Sequence, residues 1–336
     1  HAHLFDIAEG EKILYAGLGH AVDLPYECGS GTCGTCKARL ISGEIDDAWP
    51  EAPGRKYLKS QNEFLMCQCT AKTDLTIEVD GFVQAIATGN HVPQFSTGKI
   101  STVEFLTSDT IYVQITPDKA WEFDAGQFAM IQVPGVAGFR GWSMVNYHPL
   151  AEKLDFIVKK KPGGSLTEWV FENQCEGTSV ELFGPLGRAI FYPSLAKNIL
   201  CVAGGSGIAG MVSILSRAAQ ENYFNQYTGD VFFGVQTIKD TFFLQEFSRL
   251  RELCGDNLNI TVALSKEDSP ISTLSLPSNL IFEQGLVHEV AARYMRGRYE
   301  NVRAYIAGPP PMVDATIRTL VMAGLTTDNI CYDRFS

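Results

Sequence analysis

The apolar positions change their rhythm twice along the chain. Up to about residue 84 they are scattered, closing on "DLTIEVDGFV" (74–83), which alternates with the period of a half-buried strand. The next stretch, "ATGNHVPQFSTGK" (87–99), is polar, bears glycine and proline, and has no period, which reads as a linker or domain crossing. From about 98 to 195 the runs "KISTVEFLT", "TIYVQIT", "GQFAMIQVP" and "KLDFIVKKK" are short, β-rich and bounded by turn residues. They predict a small antiparallel barrel, interrupted by one helix around "SLTEWVFENQ". After 196 a continuous apolar strand, "NILCVAGG", opens an alternation of strands ("DVFFGVQ", "NITVALS", "RAYIAG") and helix-period runs ("GMVSILSRAAQEN", "TFFLQEFSRLREL", "GLVHEVAARYM", "PMVDATIRTLVMAG"). That alternation predicts a doubly wound parallel α/β sheet. The expected division is therefore 1–86, a linker at 87–97, a barrel at 98–195 and an α/β domain at 196–336.

Composition adds bounds. The 336 residues suffice for two or three domains, and 45% hydrophobic with 19% charged content suits packed cores. No apolar run reaches membrane-spanning length. A net charge of −11 argues against nucleic acid as partner, because phosphate contacts need lysine and arginine, but permits docking on a basic protein. The opening "HAHLFDIAEG" has neither an initiating methionine nor a basic-then-apolar signal pattern, and a first strand is expected to precede it. The nine cysteines are odd in number and crowded toward the front, unlike an evenly stapled secreted scaffold, so reduced thiols and a cytoplasmic setting are expected.

The crowding centres on "CGSGTCGTC" (28–36). Cys28, Cys33 and Cys36 are spaced C-x4-C-x2-C with Cys67 far downstream, the spacing of a plant-type [2Fe–2S] site. Zinc knuckles prefer C-x2-C pairs at both ends, often with histidine, and a thioredoxin-like dithiol leaves Cys28 and Cys67 unexplained. A cluster with bridging sulfides is anionic, so backbone N–H groups must turn toward it, and Gly29, Gly31 and Gly34 permit the positive φ this demands. Either Cys67 or Cys69 in "CQC" could supply the fourth thiolate.

"FRGWSMVN" (139–146) resembles the arginine-x-aromatic-serine stretch of the ferredoxin–NADP+ reductase superfamily, with Trp142 where the family has tyrosine or phenylalanine. The resemblance implies FAD, with Arg140 on the pyrophosphate, Trp142 and Ser143 flanking the flavin, and Gly141 between them. A guanidinium fork suits a phosphate, and an aromatic ring packs on a flat one. "KKKPGGSLTEWV" resembles the family's glycine-x-x-serine/threonine turn, placing Gly164, Ser165, Leu166 and Thr167 at a helix N-terminus that receives the pyrophosphate, with Val158 and Lys159 lining the flavin. Lys160 and Lys161 read as a solvated strand face.

"AGGSGIAG" (203–210) formally matches G-x-G-x-x-G at Gly205, Gly207 and Gly210, but the second strand ends in Gln236 rather than the acid a Rossmann fingerprint needs. It resembles instead the superfamily's glycine-rich nicotinamide-nucleotide loop, Gly210 standing in for a proline. Gly205, Ser206, Gly207 and Ile208 are then expected at the NAD pyrophosphate. "IAGPPPMVDA" (306–315) resembles the cysteine-glycine-proline-proline motif at the nicotinamide end, with Ala307 replacing the cysteine and Gly308, Pro309 and Met312 forming the site. The closing "YDRFS" offers Phe335 as the C-terminal aromatic that the family stacks on its flavin and that must move for hydride transfer. With Ser143, it is the residue expected at the chemistry. Asp240 is expected to accept from the adenosine ribose, favouring NADH, while Lys239 leaves NADPH open.

Taken in order, the motifs resemble the NADH-dependent reductase components of bacterial multicomponent aromatic oxygenases. That implies an α+β ferredoxin (β-grasp) domain, an antiparallel β-barrel flavin domain and a doubly wound α/β nucleotide domain. Cofactors would be FAD, a [2Fe–2S] cluster and NADH; the partner would be a terminal oxygenase or its ferredoxin, with no nucleic acid and no membrane. The resemblance selects Cys67 as fourth ligand, with Cys69, Cys175, Cys201, Cys254 and Cys331 left to the core. Two other readings stay open: a zinc-stabilised non-catalytic nucleotide-binding protein, and a flavin/iron–sulfur reductase serving a non-oxygenase partner.

Overall fold

A computed structural model describes residues 2–267 and 276–334. The first unit holds helix α1 (Ile13–Gly19) and strands β1 (Lys37–Ser42), β2 (Ile45–Asp47), β3 (Glu63–Leu65), β4 (Cys69–Ala71) and β5 (Thr76–Val79). β1 is the centre of an antiparallel sheet ordered β3-β1-β5, and β2 pairs with β4. Between α1 and β1 the chain runs irregularly through residues 20–36, and that loop carries three of the cysteines.

The second unit is β6 (Gln94–Phe105), β7 (Thr110–Pro117), β8 (Phe128–Gln132), β9 (Arg140–Ser143), β10 (Leu154–Lys159), helix α2 (Ser165–Glu172) and β11 (Ser179–Leu186). Its sheet runs β10-β7-β6-β11-β8-β9, all antiparallel, and a Met144–Phe156 bridge brings its two edges together. β6 begins four residues inside the stretch read as linker. Gln94 to Thr97 find ladder partners at Gly184 to Glu181 of β11, a pairing that periodicity cannot register.

The third unit contains β12 (Asn198–Gly204), α3 (Ile208–Gln220), β13 (Gly229–Val235), α4 (Leu244–Cys254), β14 (Leu258–Leu264), β15 (Ile281–Gln284), α5 (Val287–Tyr294), β16 (Val302–Gly308), α6 (Pro310–Met322) and β17 (Ile330–Arg334). The strands form a parallel sheet ordered β15-β14-β13-β12-β16-β17 with apolar layers on both faces, which is why β12 reads as an unbroken apolar run. The edge strands β15 and β17 are too short for a period to show in the pattern. α4 starts at Leu244, three residues later than its period suggests. A capped turn in which Thr237 and Asp240 satisfy each other's backbone ends at Thr241, and Phe243 at φ +60 stands just before the helix.

β8 positions the sites. Ala129 and Ile131 enter the barrel core, whereas Phe128 and Met130, on the other face, join the core of the first unit together with Phe183 and Leu186. The first two units thus share a hydrophobic core. Tyr15 of α1 stacks on Phe183 with ring centroids 4.7 Å apart and meets Phe139 edge-on at 5.6 Å. Arg188 pairs with Asp23 at 2.7 Å and lies over Tyr26, whose hydroxyl accepts the Gly187 N–H at 3.0 Å.

Candidate functional site

The loop after α1 turns through Gly29, Gly31 and Gly34 with φ of +64, +90 and +78, as the cysteine spacing required. The space is as restrictive as the angles: a β-carbon on Gly34 would lie 2.6 Å from the Tyr57 ring and one on Gly31 2.9 Å from Gln68. Two pairs of thiols result. Cys28 Sγ accepts the N–H groups of Ser30 and Cys33, both at 3.4 Å, and its thiol meets that of Cys33, which draws its pKa down to about 4 and pushes that of Cys33 up. Cys36 donates to Cys67 at 3.2 Å, and both are about 1% exposed. Among the described residues no three His, Cys, Asp or Glu side chains gather as a single ion would require. Two thiol pairs in one loop region suit a two-iron group, which would take two thiolates on each iron. Cys69 is fully buried on β4, and burial pushes its thiol up to about 12. Of the cysteines assigned to the core, Cys175 and Cys201 are buried, but Cys254 and Cys331 are only half-buried. Cys331 lies on edge strand β17 and accepts from Arg303 at 3.1 Å, and Cys254 ends α4.

Arg140 opens β9. Its guanidinium donates to the adjacent Phe139 carbonyl at 2.9 Å and lies 5.9 Å from the centre of the Trp49 ring. Among the described residues no carboxylate pairs with it, and burial lowers its pKa. A partly buried cation without a counter-charge is a place for an anion. Trp142 points into the barrel core, 7% exposed and edge-on to Phe156, and Val158 is buried in the same core. Along β10 the Val158 side chain alternates inward, so a part for Val158 at a flavin would run through its backbone, while Lys159 points out to Asp109 at 3.0 Å. Leu166 is likewise core. Thr167 braces the turn through the Gly164 carbonyl at 2.9 Å, and Gly164 caps α2, so the first-turn N–H groups near Ser165 are left for a ligand.

The two nucleotide motifs, some hundred residues apart, touch. β12 and β16 are neighbours in the parallel sheet, Ala203 level with Ala307, so both glycine turns emerge at its carboxyl edge, where such sheets bind ligands. A β-carbon on Gly207 would lie 2.4 Å from the Ala307 carbonyl oxygen, and one on Gly204 3.1 Å from Pro309 and 3.2 Å from Met312. Gly205, at φ +55, has open space where its β-carbon would stand. Ile208 is buried at the start of α3. Gly210 faces the barrel, its β-carbon position 3.8 Å from Ser143 Cβ, so Ser143 stands where the barrel meets α3. Asp240 Oδ2 accepts the N–H and hydroxyl of Thr237 at 2.8 and 2.9 Å, which fixes the turn at the end of β13. Phe335 lies outside the described residues.

Sequence reasoning missed three residues that join these sites. Met130 lies against Gly29, next to ligand candidate Cys28. Arg334, at the end of β17, reaches Asp314 of α6 at 2.9 Å and Glu27, the neighbour of Cys28, at 3.8 Å. Beside it burial raises Asp333 to about 7, with Glu27 and Cys28 adding to the effect. The unbroken apolar run of β8 was the one available signal, because a barrel strand facing water on one side alternates.

Family models agree with this layout: a 2Fe-2S iron-sulfur cluster binding domain matches residues 2–72, an oxidoreductase FAD-binding domain 97–191 and an oxidoreductase NAD-binding domain 201–318. The chain is 31% identical over 334 residues to ferredoxin–NAD(P)+ reductase CarAd of Metapseudomonas resinovorans, covering 97% of this chain and 95% of that one. It is 32% identical over 336 residues to the xylene/toluene monooxygenase electron transfer component XylA of Pseudomonas putida, covering 98% and 90%. Among solved structures, the ferredoxin reductase in carbazole 1,9a-dioxygenase superposes with a TM-score of 0.85 at 30% identity over 100% of this chain and 96% of that one. With all three domains matched and full-length relatives at this identity, the chain belongs to the ferredoxin–NAD(P)+ reductase components of multicomponent oxygenase systems.

Proposed function

We propose that this chain oxidises NADH by hydride transfer to FAD and passes single electrons, by way of a [2Fe–2S] cluster, to a terminal oxygenase or its ferredoxin in aromatic-compound degradation. The observation that carries the reading is the convergence of the three motifs: Gly29 of the cysteine loop, Gly141 and Ser143 of the flavin strand, and Gly204 to Gly210 of the nucleotide turn lie in one packed chain of contacts. When bound, the nicotinamide supplies a hydride, the flavin accepts a pair of electrons and releases them singly, and the cluster carries one at a time.

The residues do the holding and orienting. Cys28, Cys33, Cys36 and Cys67 are the thiolate set, with the loop N–H groups offsetting the negative charge gathered there. Arg140 and the first turn of α2 take the FAD pyrophosphate, and Trp142 braces the flavin strand from inside the barrel. Ser143, at the barrel–α3 junction, orients the reacting face in this reading. Gly205 to Ile208 take the NAD pyrophosphate, and Gly308, Pro309 and Met312 shape the nicotinamide end. The convergence favours a reductase over a zinc-stabilised binding protein, which has no use for it. The absorbance spectrum decides between them: flavin and iron–sulfur bands bleached by NADH are expected, and a colourless protein that binds only zinc would overturn the reading.

Two substitutions test the assignments. Arg140→Ala removes a charge-assisted contact worth about 1.5–3 kcal/mol, so FAD affinity is expected to fall about 10- to 100-fold, read by flavin fluorescence on dilution. Asp240→Asn removes the negative charge beside the ribose end of the nucleotide while leaving an oxygen to accept from Thr237. The preference for NADH over NADPH, measured as the ratio of kcat/KM values, is expected to narrow about tenfold, equivalent to about 1.4 kcal/mol. An unchanged ratio would remove Asp240 from nucleotide selection.

A further inference from the structure

One side chain occupies the seam between the cysteine loop and the flavin strand. Met130 is fully buried, and its place on β8 sets it directly opposite Gly141 of β9. From the flavin side, a β-carbon on Gly141 would lie 3.5 Å from its sulfur. From the cysteine-loop side, one on Gly29 would lie 3.2 Å from the sulfur and 3.4 Å from its terminal methyl. Gly29 follows Cys28 directly, and Gly141 lies between Arg140 and Trp142. Both neighbours are glycines, so the thioether rests against two backbones without an intervening side chain. The loop is held from its other side as well: the Tyr15 hydroxyl, buried in the aromatic stack on Phe183, donates to the Gly29 carbonyl at 3.0 Å.

We propose that Met130 is the positioning residue that sets the gap between the cysteine loop and the flavin strand, keeping that gap filled with packed protein; the proposal rests on the function given above. Electron transfer weakens steeply with distance and more steeply across a void or water than across packed atoms. Under that reading, an electron given up by reduced FAD at the flavin strand would cross this seam to be accepted by a ferric iron held by the cysteine loop. A flexible apolar side chain of this volume fills such an irregular gap between two domains. The register of β8 puts this residue, and not its neighbours Ala129 and Ile131, outside the barrel.

The test uses the holoprotein and the variants Met130→Ala and Met130→Leu. Stopped-flow absorbance separates flavin reduction by NADH from the later arrival of electrons in the cluster, and a separate assay follows cluster loss to an iron chelator without NADH. In the alanine variant flavin reduction is expected to be unchanged, the later step slowed about tenfold, and chelator-driven loss accelerated several-fold. Leucine, close in volume, is expected to restore both. Met130→Val, which empties less of the seam, gives the same comparison if the alanine chain does not fold. The proposal is overturned if the later step keeps its parental rate, if both steps slow together, or if leucine fails to rescue. Failure of the functional reading is distinct, since the unmutated protein would then lack NADH-bleached flavin and cluster bands.

Discussion

A Cys67→Ser chain is expected to purify without its iron, while Cys69→Ala keeps it. The two cysteines have one residue between them, yet their surroundings differ. Cys67 meets Cys36 at 3.2 Å, completing the second thiol pair, whereas Cys69 is sealed in β4 with its thiol pushed up to about 12 by burial. Burial is common to Cys36, Cys67 and Cys69, so it is position that selects Cys67. Serine at 67 would offer a harder, poorly ionised oxygen in a site about 1% exposed. The loss should appear as absent iron and inorganic sulfide and a visible spectrum reduced to its flavin bands. NADH oxidation by ferricyanide, which draws on the flavin, should persist, while reduction of a one-electron protein acceptor falls by at least about 100-fold, since the oriented route is gone. Alanine at 69 replaces one small buried apolar group by another and should cost little. Iron lost from the Cys69 variant and kept in the Cys67 variant would reverse the assignment.

The second large effect is expected at Gly207. A β-carbon there would stand 2.4 Å from the Ala307 carbonyl oxygen, a backbone atom with no rotamer to move. Gly207→Ala must therefore push the nucleotide turn away from the end of β16 and spread the two halves of the nicotinamide site. Overpacking of this kind costs about 1–3 kcal/mol of stability. The larger consequence is functional, because a displacement of about 1 Å between reacting groups can cost about 100-fold in rate. NADH-driven flavin reduction should fall by about that factor, while dithionite still reduces flavin and cluster to their parental spectra. Gly205→Ala is the control. It meets nothing within 4 Å and carries only the strain of φ +55, about 1–2 kcal/mol, without moving β16. Equal losses in both variants would show that general strain, and not the contact with Ala307, governs the site.

Much of the architecture was written locally. The C-x4-C-x2-C spacing with its glycines anticipated a loop in which all three glycines take positive φ, because backbone sterics depend on a residue and its immediate neighbours. The change from period two to alternating strands and helices marked the passage from barrel to parallel sheet for the same reason. Where segments failed to show, their partners were remote. Gln94 to Thr97 became strand only through β11, and β15 and β17 only as edges of a sheet ordered by crossovers.

The sequence by itself determined the chemistry available at each motif: four thiols, an arginine beside an aromatic and a serine, two glycine turns at strand ends, and an acidic chain of −11. Tertiary structure alone decided which atoms meet. It paired the thiols two by two, turned Val158 and Trp142 into the barrel core, left Arg140 without a carboxylate partner among the described residues, and set Gly207 against Ala307. It also gave β8 two buried faces, so that Met130 lies between two motifs more than a hundred residues apart. The physical reason is range: φ preference, periodicity and ligand type are properties of a residue and its neighbours. Close approach of distant backbones is fixed only when several cores pack at once.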